Sequence, residues 1–146
     1  NLKLVFKKIF ISSDHAGFNI KNFIISTLKK KKIPIKDLGP YNDSSVDYPD
    51  YAKLVSRQIR SKKTAGGILV CGSGTGMAIS DNKTRGIRAA VCYNNKSTYL
   101  CRQHNNANVL CLGARMTTRK NIKKIVSVFL ETKFEGGRHL KRIKKI

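Results

Sequence analysis

Hydrophobic positions along this chain fall alternately into short unbroken runs and helical spacings, with turn formers between them. The run at residues 8–13 (KIFISS) reads as a buried strand. Over residues 18–31, Ile20, Phe23, Ile24, Thr27 and Leu28 return to one helical face. Pro34 ends that pattern and introduces a second strand at 35–38, and residues 39–47 form a polar loop. Around Pro49 a helix begins, with Ala52, Val55 and Ile59 on its inner side. The third strand, 67–71 (GILVC), runs into the turn 72–76 (GSGTG), and a short helix is expected from Met77. A fourth strand is expected at 88–92, a helix at 97–104 and a fifth strand at 108–112. The next helix, 120–131, turns Ile122, Ile125, Val126, Phe129 and Leu130 inward, and the basic segment 138–146 is expected to be helical. Alternating strands and helices predict an α/β fold: one domain over residues 1–146, a doubly wound (Rossmann-like) five-stranded parallel sheet with helices on both faces.

Composition narrows the class. With 146 residues and 40% hydrophobic content the chain can bury a core without staples. No apolar run reaches the length of a membrane span, and residues 1–6 lack the apolar stretch and cleavage site of a secretory signal. The sequence opens on Asn1 rather than Met, so a trimmed start is expected. Cysteines at 71, 92, 101 and 111 form no CxxC pair. Set in apolar runs, they read as core thiols of a cytoplasmic protein, without a disulfide framework.

A net charge of +22 invites a nucleic-acid reading. The lysines are nevertheless spread over 29–32, 123–124 and 141–145, with no basic element carrying interleaved aromatics. Solvated lysine faces, produced by a compositional bias of the source, are the expected reading. Nucleic-acid binding would then be incidental and confined to low salt.

In doubly wound sheets ligands bind beyond the carboxyl ends of the strands. That rule selects 13–17 (SDHAG) after the first strand, Cys71 and its glycine turn after the third, His104-Asn105 after the fourth, and 113–115 (GAR) after the fifth. Polar groups for acid, base and anion binding are thereby expected on one edge. Gly72, Gly74 and Gly76 lack the third glycine spacing of a dinucleotide fingerprint, and no Gly-Lys-Ser/Thr follows for a P-loop. Such a turn can instead aim backbone N–H groups at an anion or a developing oxyanion. A plain strand-to-helix connection is the competing reading, but the adjacent cysteine favours the functional one.

Amides and a helix start stabilise a thiolate, which makes Cys71 a candidate nucleophile or base, although a cysteine closing a strand is ordinarily just a small core residue. His15 beside Asp14, and His104 within residues 103–108 (QHNNAN), are better placed than average loop histidines. No His or Cys spacing suggests a metal. Arg138 and Arg142, four apart on one helical face, are spaced to grip a phosphate, unless the segment is merely a solvated tail.

Taken together, 13–18 (SDHAGF), 46–52 (VDYPDYA), 67–76 (GILVCGSGTG), 82–83 (NK) before 86–89 (GIRA), 104–109 (HNNANV) and 134–139 (FEGGRH) resemble the type B ribose-5-phosphate isomerases. The wider family includes galactose-6-phosphate isomerase subunits. The motifs run in the family's order from Lys8 to the C-terminus.

The resemblance implies an aldose–ketose isomerase that interconverts ribose 5-phosphate and ribulose 5-phosphate without metal or cofactor. It further implies a homodimer or a tetramer of dimers whose pockets are shared between chains. Cys71 would be the base between C1 and C2. The amides of Gly72, Gly74, Thr75 and Gly76, helped by the Ser73 hydroxyl, would stabilise the enediolate. His104, supplied by the partner chain, would open the furanose ring, and Asp14 and Tyr48 would bind sugar hydroxyls. His15, Arg115, Arg138 and Arg142 would hold the phosphate, with Asn105 beside the reacting oxygen.

Ser73 stands where many relatives carry Thr, Asn106 where Asp is frequent, and Lys141 where Arg is frequent. Met77 lies where a second subgroup carries a glutamate base, so retention of Cys71 points to the cysteine subgroup. Two rivals remain at this stage: a six-carbon sugar phosphate as substrate, and a non-catalytic basic module that binds nucleic acid.

Overall fold

The computed structural model describes residues 3–146. Strands β1 (Lys8–Ser13), β2 (Ile35–Asp37), β3 (Ala65–Cys71), β4 (Ala89–Val91) and β5 (Val109–Gly113) alternate with helices α1 (Phe18–Lys30), α2 (Tyr48–Ile59), α3 (Thr75–Asp81), α4 (Asn95–Gln103) and α5 (Arg119–Glu131). A short α6 (Arg138–Ile143) closes the chain. The five strands form one sheet in the order β2-β1-β3-β5-β4, every pair parallel. This is the expected α/β, Rossmann-like architecture.

Strand alternation sends successive side chains to opposite faces. Ile9, Ile11, Ile68, Val70, Leu110 and Leu112 pack with Ile24, Leu28, Ile122, Ile125 and Phe129, beneath α1 and α5. Phe10, Leu69, Cys71, Val109 and Cys111 pack with Ala52, Val55, Ile59 and Met77, beneath α2 and α3. The uninterrupted apolar runs seen in the sequence arise because both faces of the sheet are covered. The four cysteines are buried and free.

Three departures from the sequence expectation have local causes. Helix α3 starts at Thr75 rather than Met77, because Gly74, at φ 84°, already completes the turn. Helix α4 starts at Asn95 because the Asn94 side chain accepts from the Ser97 N–H at 2.8 Å, a cap that recruits the residues after it. Lys21 lies fully buried on the inner face of α1, beside Ile24 and Leu28. Its Nζ donates to both Asp37 carboxylate oxygens at 2.8 Å, which satisfies the buried ammonium. Among the described residues no helix is long and apolar enough to cross a membrane.

Candidate active site

Strand β3 delivers Cys71 to the carboxyl edge of the sheet, paired with Gly113 of β5. The turn that follows folds back over the sulfur, and the Gly74 N–H donates to Cys71 Sγ at 3.1 Å. The end of β5 latches onto the same turn. Ala114 N–H donates to the Cys71 carbonyl at 2.8 Å, and Arg115 N–H to the Gly72 carbonyl at 3.0 Å. A Cβ on Gly113 would lie 2.7 Å from the Ser73 carbonyl oxygen, so only glycine admits this approach. Tyr93 adds a hydroxyl that donates to the Ser73 carbonyl at 3.0 Å. The Ser73 Oγ itself accepts from the Thr75 N–H at 3.2 Å. Cys71 is 5% exposed at the floor of a cleft.

The first βα turn supplies the next wall. Asp14 N–H donates to the Val70 carbonyl at 3.1 Å, and one Asp14 carboxylate oxygen accepts from the Gly17 N–H at 3.0 Å. Gly17 sits so close to β3 that a Cβ would collide with the Val70 carbonyl oxygen. Asp14 is thereby fixed beside the strand that carries Cys71. Tyr48 opens α2 with its ring against Gly76, where a Cβ would come within 2.7 Å. Arg115 reaches across, its Nη1 lying 3.1 Å from where a Gly72 Cβ would stand.

The cleft has a volume of about 380 Å³ and is lined by Asp14, Tyr48, Cys71, Gly72, Ser73, Gly76, Arg115 and Met116. His15 stands outside it, exposed, its Nδ1 accepting from the Val46 N–H at 3.2 Å. Met116 and Tyr93 were not singled out in the sequence, since neither type nor spacing marks them.

His104 and Asn105 lie elsewhere, and this corrects the expectation of a single edge. Helix α4 leaves the carboxyl end of β4 and runs back antiparallel to the sheet, so its C-cap, His104, reaches the amino edge where β5 begins. The length of β5, about 13 Å at 3.3 Å per residue, separates that edge from Gly113, the partner of Cys71. Helix α6 is at the same amino edge. Ile143 shares a cleft with Gly86 and Asn108, and Glu135 N–H donates to the Gln103 carbonyl at 3.0 Å. Arg138 and Arg142 travel with α6.

A buried arginine builds the His104 loop. Arg102 donates to the carbonyls of Thr132 and Ala107 and to the Asn106 side chain, and its guanidinium lies 4.9 Å from the Phe6 ring centroid. Burial lowers its pKa to about 10, which still leaves it charged near neutral pH. Within one chain the candidate residues therefore form two half-sites: Asp14, Tyr48, Cys71, the glycine turn and Arg115 on one edge, His104, Asn105, Arg138 and Arg142 on the other.

One further ionisable group lies under α3. Asp81 is 1% exposed, its two carboxylate oxygens have no hydrogen-bond partner, and burial raises its pKa to about 7 against a lowering contribution from Ser56.

The family described as Ribose/Galactose Isomerase matches residues 9–146. A probable ribose-5-phosphate isomerase B of Mycoplasma genitalium is 47% identical over 140 residues, covering 94% of this chain and 92% of that protein. The ribose-5-phosphate isomerase B of Escherichia coli is 41% identical, with 96% and 94% covered. The crystal structure of ribose-5-phosphate isomerase B from Mycoplasma genitalium with bound ribulose-5-phosphate superposes with a TM-score of 0.91 at 46% identity, covering 94% of this chain and 92% of that one.

Proposed function

We propose that this chain, which belongs to the Ribose/Galactose Isomerase family, interconverts ribose 5-phosphate and ribulose 5-phosphate. The observation that carries this reading is the Cys71 sulfur, held by the Gly74 amide on the floor of a cleft walled by Asp14, Tyr48 and Arg115. A relative 46% identical to this chain binds ribulose-5-phosphate.

The chemistry follows from the difficulty of the step. A sugar C–H is a very weak acid, so its removal needs a placed base and donors aimed at the oxygen that becomes negative. Cys71, as thiolate, takes the proton from C2 of the open aldose. The electron pair moves into a C1–C2 double bond and charge develops on O1, facing the amides of Gly72, Gly74, Thr75 and Gly76 and the Ser73 hydroxyl. The proton of the C2 hydroxyl passes to O1, and the thiol returns its own to C1, leaving a ketone at C2 and a hydroxyl at C1. Asp14 and Tyr48 hold the sugar hydroxyls.

The second half-site completes the account. His104, Asn105, Arg138 and Arg142 sit too far from Cys71 within one chain, so a second copy supplies them: His104 opens the ring, Asn105 lies beside the reacting oxygen, and the arginines, with His15 and Arg115, hold the phosphate. The active unit is thus at least a homodimer. Binding energy from the phosphate, remote from the reacting carbons, holds the open chain in place. The net charge of +22 draws the anionic substrate towards the protein.

The deciding experiment is a coupled assay of ribose 5-phosphate against galactose 6-phosphate and allose 6-phosphate, with Cys71→Ala as control. Turnover of ribose 5-phosphate that vanishes in the variant supports the reading. Preference for a six-carbon substrate, or turnover unaffected by the substitution, overturns it.

A further inference from the structure

On the amino edge the structure gathers a group of side chains whose sequence spacing gave no hint of it. His104 caps α4, Glu135 lies in the stretch before α6, and His139 lies in its first turn. Their donor atoms all lie within 4.8 Å of one another. The His104 and His139 rings stack, with centroids 4.2 Å apart and planes 13° apart. Both Nε2 atoms face the same carboxylate oxygen, Glu135 Oε1, at 3.5 Å from His104 and 3.7 Å from His139.

These separations are too long for hydrogen bonds, which run at about 2.7–3.2 Å. They come within a few tenths of an ångström of the spacing of donors that share an ion: ligand bonds of about 2.0–2.1 Å at tetrahedral angles place two donors about 3.3–3.4 Å apart.

From this geometry we propose that His104, Glu135 and His139 bind a divalent transition-metal ion of the Zn²⁺ type. Two imidazoles and one carboxylate match the donor preference of that ion, and a carboxylate offsets part of its charge. His104 and Glu135 have side chains 39% and 51% exposed, so the ion has an entry path and a fourth position open to water. The consequence for catalysis rests on the reading above. An ion on Nε2 of His104 occupies the nitrogen that carries the proton given to the ring oxygen, so Zn²⁺ inhibits, and a chelator restores activity.

The binding itself is tested without substrate, so its failure is separable from failure of the isomerase reading. Co²⁺ titrated into the full chain should give visible d–d absorption, displaced by Zn²⁺ and weakened at least about tenfold in Glu135→Gln and in His139→Asn. The chain has three histidines, which makes a second readout direct. In the unmutated protein, Zn²⁺ should shift the imidazole ¹⁵N resonances of His104 and His139 and leave those of His15 in place. No absorption at millimolar Co²⁺, a band that survives both substitutions, a sulfur-to-cobalt charge-transfer band, or a Zn²⁺ shift confined to His15 would each overturn the proposal.

Discussion

The Gly74 N–H donates to the Cys71 sulfur at 3.1 Å, from a backbone with φ of 84° that only glycine adopts freely. The sulfur and the amide that holds it form one unit. Cys71→Ala is therefore expected to lower kcat by about 10³-fold while leaving substrate affinity within a few-fold. Gly74→Ala should lower kcat by about 10²-fold through the displaced amide. Steady-state kinetics and calorimetric binding of ribulose 5-phosphate check both, and near-normal turnover in Cys71→Ala removes the cysteine base.

His104 lies at the opposite edge of the sheet from Cys71, so a shared site has a genetic signature. Cys71→Ala and His104→Ala chains are each expected to be inactive on the cyclic substrate. When co-expressed, half of the dimers are mixed and each mixed dimer holds one intact site, which restores about a quarter of the wild-type activity. If each chain instead works alone, mixing restores nothing. An open-chain analogue should also be turned over far better than ribose 5-phosphate by His104→Ala.

Asp81 is buried without a partner, and its folded pKa, raised from 3.8 to about 7, lies above that of the unfolded chain. The folded state therefore holds this proton more tightly. The stability it confers is present at low pH and lost as pH rises through about 7. Between about pH 5 and pH 8 the loss is about 2 to 3 kcal/mol. Urea denaturation at the two pH values should show that difference in the wild type and a flatter profile in Asp81→Asn; identical slopes would refute the assignment.

Lys21 is 0% exposed, and its ammonium is matched chiefly by Asp37, with a weak 3.5 Å contact to the Asn22 side chain and the Phe18 ring centroid 5.2 Å away. Truncating it leaves the carboxylate half-buried and opens a cavity, so Lys21→Ala should destabilise the fold by about 3 kcal/mol or more. Lys21→Met combined with Asp37→Leu should recover much of that loss. A double variant no more stable than Lys21→Ala would show that packing, rather than the charge pair, governs the site.

The strands and the Cys71 cradle were legible in the sequence because both report local physics: apolar runs for a sheet covered on two faces, and glycines where backbone must approach backbone. The edge occupied by His104 was not legible from that rule. The fourth strand ends at the right edge, but the helix after it carries the histidine back across the sheet. Lys21 was hidden because its partner, Asp37, lies on another element, and a lysine beside apolar neighbours reads as a solvated position. The cluster of His104, Glu135 and His139 needs tertiary structure to exist, since the first and last members are separated by all of β5, all of α5 and the segment leading to α6. Asp81 gave no signal at all, because nothing in its neighbours announces burial.

No side chain of α6 is buried in its own chain, although Arg138 and Arg142 ride on it. A helix of six residues gains little from its internal hydrogen bonds. In the proposed dimer a partner chain would add to the stacking of His139 on His104 that anchors it in its own chain. If the proposed dimer forms, dilution that separates its protomers should loosen the tail while the sheet stays intact, and apparent affinity for the sugar phosphate becomes a function of protein concentration.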